Sequence, residues 1–449
     1  MPGTWRRLGW CLCVLASLLF WPAAGLRADF IGHGAPVRDI VISSDGTLAL
    51  TSSFDDQVIL WDVAARQPIH RLIGHEAAVN AAAFLPPDER RAISASDDGT
   101  LRLWDLESGQ EIARLEGHTK KVVSIAVSPD GRLAASASWD RTVRLWDLAS
   151  GRQLRLLEGH ESNVNAVAFL PDGEAVISAG YDGLLMLWPL AEGTAPSRLA
   201  ALGFPVSDLQ VSADGTRLLT GSADGLLRLW GLADRAVLQS FQGHEGAVLA
   251  VALSPDGQTL ASGGTDGQLL IWQAGREGVQ RRLVIEHYNA VWSIAFSPQG
   301  AIIYAGGIDP VARAWFVATG QPLSGSTTAF QAIHQVGRDA AASDDPIVRG
   351  SYHFRKCAIC HSLDEDGVAR AGPSLAGLFG RRVGTYPGYR YSKALTQSRL
   401  VWTEETVSQL FDLGPDVLLP GTKMPLQRLP DAQARDDLIA FLKKHTAPR

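Results

Sequence analysis

From residue 30 to residue 323 the chain runs as short apolar stretches of period two, broken by polar turn clusters. Val164-Asn165-Ala166-Val167-Ala168-Phe169 is one such stretch, and its alternation predicts a half-buried β-strand. Ser128-Pro129-Asp130-Gly131 and Ser254-Pro255-Asp256-Gly257 supply turn chemistry between strands. The pattern also repeats over a longer period. Trp61, Trp104, Trp146, Trp188, Trp230, Trp272 and Trp315 follow one another at intervals of 42 or 43 residues. Six positions before each stands an Asp: Asp55, Asp98, Asp140, Asp182, Asp224, Asp266 and Asp309. Roughly thirty positions before each Trp lies Gly-His, as in Gly32-His33, Gly74-His75, Gly117-His118, Gly159-His160 and Gly243-His244. The seventh unit has Glu286-His287, and the fifth departs with Gly203-Phe204.

Units of four short strands with these signatures resemble the WD-repeat family, which implies an all-β, seven-bladed β-propeller over residues 26–323. In that family the His, a Ser or Thr, the turn Asp and the Trp form a hydrogen-bonded tetrad within each blade. On this sequence the resemblance implies His75, Ser94, Asp98 and Trp104 in the second repeat, and His118, Ser136, Asp140 and Trp146 in the third. A buried network of this kind is costly unless every member is satisfied, and then it fixes one blade geometry. Being spread through the blades, these histidines read as architecture and not as ligands of a metal or heme. Phe204 replaces the His in the fifth blade and Ala305 the hydroxyl in the seventh, so these two blades are expected to be the loosest. Propellers remove exposed edges by pairing a terminal strand into the last blade. Residues 26–31 are expected to supply it. Thr319-Gly320-Gln321-Pro322-Leu323, which mimics Ser108-Gly109-Gln110-Glu111-Ile112, is the competing segment.

Periodicity fades after residue 323, and the Ser-, Thr-, Ala- and Asp-rich residues 324–345 read as a linker. Residues 346–449 then open with Cys357-Ala358-Ile359-Cys360-His361, the attachment sequence for a c-type heme. Each thiol adds across a vinyl group of the porphyrin, and the adjacent His meets the iron. A thioredoxin-like redox pair would need a βαβ pattern around it, and a zinc site a second ligand pair; neither accompanies the motif. One covalent heme c is therefore expected, with Cys357 and Cys360 as attachment points and His361 on the iron. The second axial ligand follows by elimination. Of three methionines, Met1 belongs to the N-terminal segment and Met186 to the fourth blade, which leaves Met424 in Pro420-Gly421-Thr422-Lys423-Met424-Pro425. Met/His ligation raises the reduction potential; the alternative is Met424 as ordinary core filler.

Residues from about 347 to 446 resemble a mitochondrial-type (class I) cytochrome c, which implies an all-α domain. The resemblance implies that Gly350 and Phe354 cross a C-terminal helix at Leu438 and Phe441. It implies further that the carbonyl of Pro373, after Gly372, accepts a hydrogen bond from the axial His. Arg381, Tyr389, Tyr391 and Trp402 match residues that neutralise and hydrogen-bond the heme propionates, and Thr422 matches a hydroxyl beside the Met loop. There are departures. Where the family offers a Tyr to the Met sulfur, this chain has Leu410 and Phe411, and Asp416 and Val417 replace lysines before the Met loop. The basic docking ring is diluted to Lys356, Arg370, Lys423 and Arg428, which argues against a mitochondrial-style partner.

The N-terminus adds a destination. Arg6 and Arg7, the apolar run Leu8–Trp21 and Pro22-Ala23-Ala24-Gly25 read as a signal peptide over residues 1–25. That run is shorter than the roughly 20 residues needed to span a bilayer, with an uncleaved anchor helix as the alternative. Cys11 and Cys13 fall inside it, so only Cys357 and Cys360 of the four cysteines remain, and these are no disulfide framework. The expected location is the periplasm of a Gram-negative bacterium, with no stable membrane insertion after cleavage. The formal charge of −6 hides an asymmetry. From Asp344 onward there are 15 basic and 12 acidic residues, and before it 26 and 35, so a +3 segment follows one of −9. An acidic front half argues against nucleic acid as a partner. The expected function is a non-enzymatic electron carrier with redox proteins as partners and the propeller as a protein-docking platform. The alternatives are a redox-gated interaction or sensor protein, and an electron-outlet subunit of an oxidoreductase.

Overall fold

The computed structural model describes residues 29–284, 290–323, 343–354, 357, 361–363, 372–387, 389, 391–420, 422, 424 and 429–446. The signal peptide of residues 1–25, His287, Cys360 and the basic residues Lys356, Arg370, Lys423 and Arg428 lie outside the described residues.

Residues 30–323 form seven four-stranded antiparallel sheets. In the first, Val37–Ile42, Leu48–Ser53, Gln57–Asp62 and Gln67–Ile73 pair in sequence order. The innermost strands of the seven sheets line a central channel of about 620 Å³. Second strands such as Leu133–Ser138 are made of small and apolar residues and are buried almost throughout, because neighbouring blades cover both faces. Asp39 stitches blades together: it accepts from the Ala82 N–H and from the Ser293 hydroxyl.

The tetrads take their implied form. In the third blade the Trp146 indole N–H donates to Ser136 Oγ at 2.9 Å. Ser136 Oγ lies 2.7 Å from His118 Nε2, and His118 Nδ1 lies 2.8 Å from Asp140. One proton arrangement satisfies this chain: the hydroxyl donates to Nε2, and a neutral imidazole donates from Nδ1 to the carboxylate. The same arrangement holds His33, Thr51, Asp55 and Trp61 in the first blade and His75, Ser94, Asp98 and Trp104 in the second. It recurs with Ser178 in the fourth blade and Ser262 in the sixth. Both ring nitrogens of these histidines are thus committed to blade architecture. Burial pushes the His118 imidazole below the ordinary histidine range, against the pull of Asp140. Burial alone would raise Asp98 and Asp140, but hydrogen bonds from His75 and His118 and from nearby Thr hydroxyls hold both well below the usual carboxylate range.

The two atypical blades differ as their sequences imply. Trp230 and Trp315 are 8% and 7% exposed, whereas the other five tryptophans are 0–2% exposed. In the fifth blade Trp230 still donates to Thr220 Oγ1, and Arg228 replaces the absent His only as the partner of Asp224, donating also to Ser222 Oγ at 2.8 Å. Phe204 turns outward and is half exposed.

Both terminal segments close the ring. Phe30–Ile31 pairs with the last strand, Val311–Phe316, through Phe30 with Ala312 and Ile31 with Val311. The other end of that strand is covered by the competing segment: Trp315 bridges to Pro322, and Leu323 N–H donates to Ala314 O. The outer strand of the seventh blade is therefore composite. Phe30, 1% exposed, packs edge-on to Trp61 and near Tyr304, with the Arg66 guanidinium 4.8 Å from its ring centre.

The described part of residues 343–446 is mostly helical, with one short antiparallel bridge between Arg382 and Val401. The described helices are α1 (Pro346–Phe354), α2 (Lys393–Gln397), α3 (Glu404–Leu413), α4 (Pro415–Leu418) and α5 (Ala432–Thr446). Helix α1 crosses α5 at Gly350, where a Cβ would stand 2.0 Å from the Asp437 carbonyl oxygen, so only glycine fits. Phe354 and Phe441 pack with ring centres 5.1 Å apart, and Leu438 is fully buried. Arg349 clamps the crossing with two bonds to Asp437.

His118→Ala strips the third tetrad of its centre and is expected to cost about 2–4 kcal/mol, because Ser136 and Asp140 lose buried partners. Phe204→Ala in the fifth blade should stay within about 0.5 kcal/mol. Since His118 folds neutral, its contribution is complete above a pH of about 6.5 and is lost as the pH falls below that. Calorimetry of both variants at pH 7.5 and 5 checks this: the His118→Ala deficit should shrink at the lower pH.

Candidate heme site

The attachment motif begins one residue pair after α1 ends. His361 N–H donates to Cys357 O at 2.9 Å, which ties the two residues of the motif together. Cys357 is buried in an apolar cluster with Leu378, Val383, Phe411, Leu419 and Leu438. The His361 ring is oriented by a backbone acceptor: Nδ1 donates to Pro373 O at 2.7 Å. That bond puts the ring proton on Nδ1 and the lone pair on Nε2, where an iron ligand needs it. Gly372 lies flat against the imidazole; a Cβ there would sit 2.4 Å from Cε1. The loop is tied down on either side, by Leu375 N–H to Ser362 O and by Gly377 N–H to Thr446 O at the end of α5.

A short two-stranded ribbon sets the polar side of the site. Gly380 N–H donates to Trp402 O, Trp402 N–H to Arg381 O, and Val383 N–H to Leu400 O. Arg381 and Trp402 therefore stand opposite each other across the ribbon. Arg381 donates to the carbonyls of Ser374 and Ala376, and its guanidinium lies 4.7 Å from the Tyr386 ring centre. Tyr389 and Tyr391 meet edge to face at 4.8 Å. Burial pushes the Tyr391 hydroxyl above the ordinary tyrosine range, so it stays neutral, and it accepts the Tyr386 N–H at 3.3 Å.

Met424 packs against the same apolar cluster that holds Cys357. Its N–H donates to Thr422 Oγ1 at 3.1 Å, so that hydroxyl braces the loop. Leu410 and Phe411, each 5% exposed, occupy the buried face of α3 and add bulk without a polar atom. Val417 is exposed.

A heme is an apolar disc with two anionic arms and an iron that accepts nitrogen and thioether ligands. An imidazole with its lone pair set on Nε2, a glycine that leaves room for that ring, a thioether in the same apolar cluster, and an Arg with three aromatic hydroxyl or indole side chains fit that group. Sequence reasoning passed over two contributors. The Arg349–Asp437 pair spans 88 residues and has no local signature. Tyr386 carries no motif, although an aromatic five residues from Arg381 could have prompted attention.

The WD domain, G-beta repeat family matches residues 25–62, 66–105, 109–147, 151–189, 199–231, 235–273 and 278–315. The cytochrome c family matches residues 347–446. Similar proteins include a cytochrome c of Sesamum indicum, 47% identical over 92 residues that make up 20% of this chain and 82% of that one. A cytochrome c of Gibberella zeae is 40% identical over 101 residues, 22% of this chain and 94% of its own. The chain belongs to the WD40-repeat family and, in its C-terminal domain, to the cytochrome c family. A cytochrome c2 of Blastochloris viridis is also similar, 40% identical over 108 residues, 24% of this chain and 83% of its own. The C-terminal domain thus carries a covalently bound heme c with its iron, and its chemistry is electron transfer. The WD40 propeller is an architecture for protein interaction.

Proposed function

We propose that this chain is a periplasmic electron carrier in which His361 and Met424 hold the iron of one heme c and the propeller is a docking platform for redox proteins. The observation that carries the reading is the bond from His361 Nδ1 to Pro373 O, which presets the ring for axial ligation. Met424 would supply the second ligand to the iron, and a heme held by His361 and Met424 would exchange electrons without binding substrate.

The docking role draws on a surface feature. Phe54, Trp139, Tyr181 and Ile308 each precede the repeat Asp of their blade, in the turn between second and third strands. They are 36–60% exposed, which gathers large apolar side chains on one face of the propeller. Phe54 is joined there by Trp292, 5.3 Å away. Export through a cleaved signal peptide over residues 1–25 fits ring closure, because a mature start between Gly25 and Phe30 leaves the buried Phe30 in place. No helix among the described residues is long and apolar enough to cross a membrane.

Met424→Ala is expected to lower the reduction potential and to let the ferrous protein bind carbon monoxide, seen in its absorption spectrum. Ready carbon monoxide binding by the wild type would defeat Met ligation. Intact-mass measurement of the protein from its native host should give a chain starting between Gly25 and Phe30 plus a single heme. A mass that retains residues 1–24 means an anchored protein. The double change Trp139→Ser, Tyr181→Ser should slow reduction by envelope redox proteins several-fold while small redox dyes react at the wild-type rate. Unchanged rates with both would leave the propeller without an electron-transfer role.

A further inference from the structure

The carbonyl that orients His361 sits on a loop that one guanidinium clamps. Arg381 reaches from the ribbon to donate one Nη to Ser374 O at 3.0 Å and the other to Ala376 O, the carbonyls on either side of Leu375 just after Pro373. Both bonds leave in the plane of the guanidinium fork, so its faces are open to stacking. The Tyr386 ring takes one face, 4.7 Å from the guanidinium carbon. Tyr386 is itself pinned, its backbone N–H donating to the Tyr391 hydroxyl at 3.3 Å. A continuous chain of contacts therefore runs from the Tyr386 ring through Arg381 and the Ser374 and Ala376 carbonyls to Pro373 O and His361 Nδ1.

We propose that Tyr386 is a positioning residue for the axial imidazole: by stacking on Arg381 it keeps the Pro373 carbonyl seated on His361 Nδ1. The inference rests on the reading of His361 as an iron ligand. An Arg side chain has several rotatable bonds, and half-buried beside water it loses its hold readily unless its planar head is confined. An aromatic face confines that plane without competing for the two N–H groups that hold the loop. Gly372 cannot provide the restraint, having no side chain, and Pro373 has no N–H to anchor itself. The consequence falls on the imidazole, since an Nδ1–H bond to a carbonyl makes the ring a stronger donor through Nε2.

The test uses the full-length, heme-loaded protein labelled with ¹⁵N, and reads solvent exchange of the His361 Nδ1 proton in the ferrous state by NMR. Tyr386→Ala is expected to speed that exchange about fivefold, the order expected for losing one half-buried cation–π contact. Tyr386→Phe, which keeps the ring and drops the hydroxyl, should exchange at the wild-type rate. Wild-type exchange in Tyr386→Ala overturns the proposal, because the loop then holds itself. Exchange in Tyr386→Phe as fast as in Tyr386→Ala also overturns it, because the hydroxyl and not the stacked face then carries the effect. If Tyr386→Ala does not fold, Tyr386→Leu replaces it, retaining bulk without a π face. The ferric spectrum keeps the two readings apart. A His361 ring without a paramagnetic shift removes the ligation on which the inference rests, whereas a shifted ring with unchanged exchange removes only the role of Tyr386.

Discussion

In six blades a tryptophan indole N–H is buried with one side-chain hydroxyl as its acceptor, and much of the propeller follows from that bond. In five of them the hydroxyl, having accepted, donates its own hydrogen bond to the histidine, and the histidine donates from its other nitrogen to the carboxylate. Each donor thereby fixes the next, so one proton arrangement serves the whole relay. A buried neutral imidazole and a carboxylate held far below its usual range are consequences of the relay. The relay ties the turn between second and third strands to the loop that brings the chain in from the preceding blade, which sets the pitch at 42 or 43 residues.

Where the relay is incomplete, the fold finds another donor or accepts a looser packing. Arg228 stands four residues beyond Asp224 on the neighbouring strand of its hairpin, and its guanidinium satisfies the carboxylate that no histidine reaches. The seventh blade has Ala305 in place of the hydroxyl and closes the ring as well. Its outer strand is assembled from both terminal segments. Phe30–Ile31 alone covers only two positions of the six-residue strand Val311–Phe316, and Pro322 and Leu323 take up the far end. The edge that a single short segment would leave exposed is thus shared between two.

The C-terminal domain applies the same economy to one imidazole. His361 has its proton directed by the Pro373 carbonyl, and Arg381 donates to the Ser374 and Ala376 carbonyls of the same loop. Packing then decides what can stand nearby: Gly372 and Gly350 are sites where a single methyl group would collide with the ring or with the facing helix. Rigidity matters for an electron carrier, because a ligand set that barely shifts between oxidation states lowers the cost of each transfer. The charge difference between the two parts of the chain, −9 against +3, gives their surfaces different affinities for partners.

Seven tryptophans at nearly constant spacing, with an Asp six positions before each, were enough to read seven blades, because a repeat writes its geometry into local spacing. The heme attachment motif was legible because its chemistry demands particular residue types at fixed spacing, and the Pro373 acceptor because the resemblance to cytochrome c pointed to it. Neither kind of signal reports on contacts that depend on how distant segments are brought together. The composite outer strand of the last blade needed the ring to close before either terminal segment had an edge to pair with. The clamp of Arg349 on Asp437 needed two helices to cross. The stacking of Tyr386 on Arg381 needed a ribbon and a loop to be folded against each other. Local sequence determined which elements form and which residues carry the chemistry, whereas the tertiary structure decided which side chains hold them in place, since a hydrogen bond or a stacked ring is specified by position in space and not by separation along the chain.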